Sequence, residues 1–207
     1  MILAGGMGSR LNGDKALVPF AGATLLDAVL DRVSGNGRRR PIALNANGNS
    51  ARFDRFCLPV LADSIPGHPG PLAGVLAAME WASELLQCRW GRVGTIPTDT
   101  PLLPEDVLDR LEEAVTGASD DTIVCAETGH GLHPVVALWP IGLRDALRDA
   151  IVTAGIRRVG DFVARYPLRR VMFAGTGFDP LFNVNTAAEL AAAEALVLLA
   201  RPVSTAR

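Results

Sequence analysis

Residues 3–17, LAGGMGSRLNGDKAL, place three glycines, Gly5, Gly6 and Gly8, directly behind a short apolar segment, and two cations, Arg10 and Lys15, follow closely. Glycine has no Cβ, so it lets a strand end in a sharp turn and brings backbone N–H groups close to an anion. A glycine cluster alone reads equally well as a strand–helix turn. With an arginine and a lysine in so short a stretch, a phosphate-binding loop becomes the better reading. Two common loops do not fit. Gly8 and Gly13 have the P-loop spacing, but Asp14 precedes Lys15 and Ala16 follows it, where that loop needs Gly-Lys and then a metal-binding hydroxyl. The dinucleotide fingerprint fails because Leu11 stands where its third glycine belongs.

Working outward, short apolar runs alternate with helical patterns. Leu26, Val29, Leu30 and Val33 recur at helical spacing, predicting a helix over about 24–34. Strands are expected at Pro41–Asn45, Pro59–Asp63 and Arg92–Pro97, with a helix from about Pro71 to Gln87 between the last two. A third helix is expected to start at Pro104, with Glu105 and Asp106 in its first turn. Further strands are expected at Thr122–Ala126, His133–Leu138 and Arg169–Ala174, and a last helix from about Ala187. This alternation predicts an α/β, Rossmann-like fold, a mostly parallel sheet with helices on both faces. Ligands then bind beyond the carboxyl ends of the strands, which selects the loops after Leu3, Ala43, Ala62 and Ile96. No repeat or linker divides the chain, so residues 1–207 read as one domain.

The 207 residues are 49% hydrophobic and 20% charged, with a formal net charge of −2. That balance suits a soluble globular protein and argues against general nucleic-acid binding, which needs a basic surface. Cys57, Cys88 and Cys125 are far apart and form no CxxC, which favours a reduced, cytoplasmic setting without a disulfide framework. The apolar run Leu190–Ala200 contains Glu194 and is too short to span a bilayer, and no signal peptide is expected. Only Met1, Ile2 and Leu3 precede the glycines, so the first strand is expected to be very short, and a start upstream of Met1 stays open.

The loop resembles the nucleotidyltransferase signature LAGGxGxRMGxDKxL, and within that superfamily it is most similar to the molybdenum cofactor guanylyltransferases. Leu3, Ala4, Gly5, Gly6, Arg10, Asp14, Lys15 and Leu17 match, Leu11 replaces the usual Met, and Asn12 stands where Gly is common. Downstream segments occur in family order: Asn45-Ala46-Asn47, Asp63-Ser64, Gly70-Pro71-Leu72-Ala73-Gly74, Pro97-Thr98-Asp99-Thr100-Pro101, His133-Pro134 and Asn183-Val184-Asn185-Thr186. The resemblance implies transfer of GMP from GTP to molybdopterin-bound molybdenum, giving molybdopterin guanine dinucleotide and pyrophosphate. It assigns Leu3, Ala4, Gly5, Gly6, Lys15, Asn45, Asp63 and Asp99 to GTP, and Arg10, Lys15 and Asp99 to catalysis. Asp99 would hold Mg²⁺, and Asn183 and Asn185 would face molybdopterin. The nucleotide-binding half is expected at about 1–115 and the pterin-side half at about 116–207. The expected partners are these small molecules, with neither nucleic acid nor membrane, for a monomer that contacts pathway or acceptor proteins transiently.

Several of these residues also have structural readings. Asp99 alone reads as a turn aspartate, and Thr186 with Glu189 reads as a capping box. His130 and His133 lack a third nearby ligand for a metal, and Arg157-Arg158 reads as a solvated face or as a phosphate contact. The rival functions are the cytidylyltransferase of the same cofactor, a sugar-phosphate nucleotidyltransferase, and a nucleotide-binding module without catalysis. The cytidylyltransferases usually carry LAAG and lack GPLAG, so Gly5 and Gly74 favour guanine.

Overall fold

Short, wholly apolar strands bury both faces only when helices cover both sides of their sheet. The computed structural model describes residues 1–5, 7–8, 13–35, 40–67, 70–175 and 177–200. In the first part of the chain lie β1 (Ile2–Leu3), β2 (Met7–Gly8), β3 (Gly13–Asp14), β4 (Pro19–Phe20), β5 (Ala23–Thr24) and α1 (Leu25–Ser34). These are followed by β6 (Leu44–Asn45), β7 (Val60–Leu61), α2 (Pro71–Leu86), β8 (Arg92–Pro97) and α3 (Val107–Glu113). The rest of the chain forms β9 (Ile123–Thr128), β10 (Gly131–Pro140), α4 (Arg144–Val152), α5 (Val159–Val163), β11 (Leu168–Met172) and α6 (Ala187–Ala200).

One seven-stranded sheet runs in the order β11-β9-β10-β8-β1-β6-β7. Strand β1 sits inside it, parallel to β6 on one side and β8 on the other. Only β10 runs against its neighbours, antiparallel to both β8 and β9, so the sheet is mostly parallel. The cause is local. Gly129 and His130 alone join β9 to β10, far too few residues for a parallel crossover.

One sheet face is covered by α2, α4 and α5, through Leu72, Leu76, Met79, Leu147 and Phe162 against Val93 and Trp139. The other is covered by α1, α3 and the 3₁₀ turn Ser50–Phe56, through Val29, Phe53, Val107 and Leu111 against Ile2, Leu44 and Val124. Each such side chain contributes roughly 1.5–3 kcal/mol on burial. The Trp139 indole donates to Thr95 Oγ1 (2.8 Å), which donates to the Val135 carbonyl (2.6 Å), so the polar atoms between β8 and β10 are satisfied. Helix α1 opens with a Thr24–Asp27 capping box, which fixes its first turn.

Several expected elements shift. The strands expected at 41–45 and 59–63 shrink to Leu44–Asn45 and Val60–Leu61. Helix α2 stops at Leu86 because Gln87 turns left-handed (φ 49°). Helix α3 begins at Val107 instead of Pro104, which accepts a turn hydrogen bond from the Val107 N–H. The strand expected at His133–Leu138 is present and lengthens to Gly131–Pro140, and its pairing with β9 shifts register between His133 and Ala137. Among the described residues, no helix is long and apolar enough to cross a membrane.

Candidate active site

Because β1, β6, β7 and β8 are parallel, the loops after them meet at one edge of the sheet and wall a cleft of about 510 Å³. Its floor is made by Asp99, in the turn following β8. That turn is held by the Thr98 N–H on the Leu3 carbonyl (3.2 Å) and by Thr100 Oγ1 on the Pro97 carbonyl (3.2 Å). Lys15 Nζ reaches Asp99 Oδ2 at 2.9 Å and donates also to Asn185 Oδ1 at 2.6 Å. The backbone ties the same places together, since the Val184 N–H donates to the Asp99 carbonyl at 2.8 Å. The ion pair is largely shielded, with side-chain exposures of 12% for Lys15 and 24% for Asp99. Among the described residues, Asp99 Oδ1 is buried without a hydrogen-bond partner. A carboxylate oxygen in that state is open to a cation.

A second cluster stands on the β6–β7 side. Asp63 accepts Asn45 Nδ2 on one carboxylate oxygen (3.0 Å) and Asn47 Nδ2 on the other (2.8 Å). Asn47 Oδ1 in turn accepts the Asp63 N–H at 2.9 Å, and Asn45 Nδ2 donates also to the Leu61 carbonyl at 3.2 Å. A carboxylate offers about four acceptor sites, so Asp63 still has capacity toward an incoming N–H. Gly74 on α2 closes over this cluster: a Cβ there would lie 2.5 Å from Asn45 Oδ1 and 3.0 Å from a Leu3 methyl. Gly70, which sets the approach to α2, has φ 85°, a left-handed conformation suited to glycine.

The third wall comes from β10 and the segment before α6. His133 Nε2 lies 3.0 Å from Thr128 Oγ1, which also donates to Asp179 at 3.3 Å. Burial pushes the His133 imidazole below its usual range, against the pull of Asp179. Asn183 and Asn185 line the cleft beside it. Thr186 and Glu189 form the expected capping box, with Glu189 accepting the Thr186 N–H (2.9 Å) and Thr186 Oγ1 accepting the Glu189 N–H (3.2 Å).

Most residues singled out in the sequence converge here: Leu3, Gly5, Lys15, Asn45, Asp63, Asp99, Asn183 and Asn185 all line the cleft. Ala4 is buried instead, and its N–H is engaged by the Asn45 carbonyl (2.8 Å), so it shapes the loop from beneath. Gly6 and Arg10 lie outside the described residues. Arg157 points elsewhere, donating to the carbonyls of Ile151 and Ile156, while Arg158 is the residue before α5. The described residues hold no group of three or more His, Cys, Asp or Glu placed for a metal. The sequence reading missed Arg52, whose partners lie in two separate loops, so no local pattern marked it.

A glycine-bearing loop, a Lys–Asp pair and an amide–carboxylate cluster at the carboxyl edge of such a sheet define a nucleotide-handling α/β domain. Residues 1–169 match the MobA-like NTP transferase domain family. A molybdenum cofactor guanylyltransferase of Rhodopseudomonas palustris is 44% identical over 200 residues, covering 96% of this chain and 91% of the relative. One of Mesorhizobium japonicum is 42% identical over 201 residues, covering 95% and 94%. The crystal structure of molybdopterin-guanine dinucleotide biosynthesis protein A from Archaeoglobus fulgidus superposes with a TM-score of 0.73 at 22% identity, covering 96% of this chain and 97% of that one. The chain belongs to the MobA-like molybdenum cofactor guanylyltransferases, a family of nucleotidyltransferases.

Proposed function

We propose that this enzyme transfers GMP from GTP to the terminal phosphate of molybdopterin-bound molybdenum, releasing pyrophosphate. The observation that carries this reading is the Lys15–Asp99 pair, set between the Asn45–Asp63–Asn47 cluster and the Asn183–Asn185 segment. A donor nucleotide on one side and an acceptor on the other would then meet over a cation and a metal ligand.

In this reading an oxygen of the molybdopterin phosphate attacks the α-phosphorus of GTP in line. The new P–O bond forms as the bond to the bridging α–β oxygen breaks, and pyrophosphate leaves with that electron pair. No protein nucleophile is required, so the chain's contribution is positioning and charge stabilisation. Lys15, with Arg10, would neutralise the departing pyrophosphate, and the backbone around Gly5 and Gly6 would cradle the phosphates. Asn45 and Asp63 would serve the guanosine, whose N1–H and N2–H₂ groups need acceptors. The single carboxylate of Asp99, with its unpartnered oxygen, fits Mg²⁺, which takes one or two carboxylates and completes its shell with phosphate oxygens and water. When bound, the ion would supply Lewis-acid charge neutralisation on the triphosphate.

Asn183 and Asn185 would face molybdopterin, dividing the chain into a nucleotide side at about 1–115 and a pterin side at about 116–207. We place the enzyme in the cytoplasm as a monomer with transient protein contacts. Pyrophosphate release, measured with GTP or CTP and with or without molybdopterin, tests the reading: release is expected only with GTP and molybdopterin together. Release from CTP alone would overturn the guanine assignment.

The Gly5 position tests the same reading from the protein's side. Among the described residues, a Cβ there meets nothing nearer than the Asn45 carbonyl oxygen at 3.8 Å, an ordinary contact. The fold therefore tolerates alanine, and any penalty must come from the ligand. Gly5→Ala is expected to melt with the wild type while its KM for GTP rises about tenfold, the value of one lost close contact. A thermal melt beside steady-state kinetics checks it, and an unchanged KM would remove Gly5 from nucleotide selection.

A further inference from the structure

We infer that Arg52 is a positioning residue that ties Asp14, the neighbour of Lys15, to the nucleoside side of the cleft. This inference rests on the proposed nucleotide site and adds a residue to it. Arg52 stands on the 3₁₀ turn Ser50–Phe56, anchored beneath by the fully buried Phe53. Its Nε donates to the Asp14 carboxylate at the end of β3, immediately before Lys15. One terminal nitrogen donates to the Asn49 carbonyl and the other to the Asn47 carbonyl at 2.8 Å. The guanidinium also lies 4.5 Å from the centroid of the Phe53 ring, which fixes its plane.

The fork thus joins two loops that are distant in sequence. Asn47 itself holds Asp63, so hydrogen bonds run unbroken from Asp14 through Arg52 to the Asn47–Asp63–Asn45 cluster. Only arginine can do this. It offers donors in a rigid planar fork, whereas lysine is a point charge on a flexible stem. The arrangement also explains Asp14. Its carboxylate is directed to Arg52, so its part is to hold β3, paired with β2, beside Asn47, which presents Lys15 to the triphosphate. Arg52 touches neither reacting phosphate nor base in this scheme.

The test is a double-mutant cycle in the full-length enzyme, read as KM for the nucleoside triphosphate against kcat. Loss of a charge-assisted hydrogen-bond node is expected to raise KM in Arg52→Ala by about tenfold, with kcat at saturation within about twofold of wild type. Asp14→Ala should have a similar effect, and the double variant should be no worse than either single one. Arg52→Lys should fall between. Arg55→Ala is the control, because Arg55 lies on the same turn but reaches to Asp27 on α1 and to Thr24, which caps it, and its KM should not change. An unchanged KM in Arg52→Ala, or effects of Asp14 and Arg52 that simply multiply, would overturn the inference. Should Arg52→Ala fail to fold, Asp14→Asn leaves the Arg52–carbonyl bonds intact and carries the same test. Kinetics are compared with whichever triphosphate the wild type turns over. Failure with GTP would thus count against the guanylyl reading, while a flat KM in the variants would count against the clamp.

Discussion

Asp99→Asn is expected to lose about 10²–10³-fold in the rate of pyrophosphate release, the usual effect of removing one charge-stabilising group from a transfer site. The substitution keeps size and shape but removes the charge that Oδ2 presents to Lys15 and the second oxygen, which has no hydrogen-bond partner among the described residues. Two effects on stability then oppose each other. Lys15 keeps Asn185 as an acceptor but loses its counter-charge, while a neutral amide costs less to bury than the carboxylate it replaces. The melting temperature should therefore stay within a few degrees of wild type, so lost activity cannot be ascribed to unfolding. Stopped assays, a melt and a titration of GTP binding against Mg²⁺ check the three parts. Wild-type dependence of GTP binding on Mg²⁺ would end the assignment of the metal to Asp99.

Gly74→Ala should damage both stability and binding, in contrast to Gly5→Ala. A Cβ 2.5 Å from Asn45 Oδ1 is not a contact that small shifts relieve, because Leu3 closes in at 3.0 Å and Asn45 is itself buried. Asn45 must rotate, which breaks its bonds to Asp63 and to the Leu61 carbonyl. Leaving buried polar groups unpaired costs about 2 kcal/mol, which for a chain of this size lowers the melting temperature by roughly 4–8 °C. The affinity for GTP should fall by about tenfold, the value of one hydrogen bond that the displaced Asn45 no longer makes to the guanosine. Calorimetry of both transitions checks it. A variant that melts with the wild type would mean that Asn45 has another place to go.

Much of the fold was legible because hydrophobic periodicity reports burial directly. Leu26, Val29 and Val33 marked α1, and Arg92–Pro97 was found with its bounds intact. Direction within the sheet was not legible, since an apolar run such as His133–Leu138 reads the same in parallel and antiparallel strands. The Gly129–His130 link decides it, once the true strand ends are known. Very short strands such as β6 and β7 are defined by their neighbours, which local sequence cannot express. Within the site, residues belonging to continuous motifs were found: Lys15, Asn45, Asp63, Asp99, Asn183 and Asn185 line one cleft. Arg52 was not, because its role exists only after the hairpin at Asp14 and the loop at Asn47 have come together.

The contact between Lys15 and Asp99 also makes the resting cleft electrically self-satisfied. A lone phosphate must draw Lys15 from Asp99 Oδ2 and leave an anion behind, while a lone divalent ion on the open Oδ1 sets a second cation beside the ammonium of Lys15. Each alone therefore leaves the charges unbalanced. A metal–triphosphate complex brings both signs at once and leaves no charge stranded. The two components should therefore bind with positive cooperativity, each tightening the other by the same factor, as thermodynamic linkage requires. In a cell rich in phosphate esters, that exchange favours the complex over the abundant single ions before any base has been recognised.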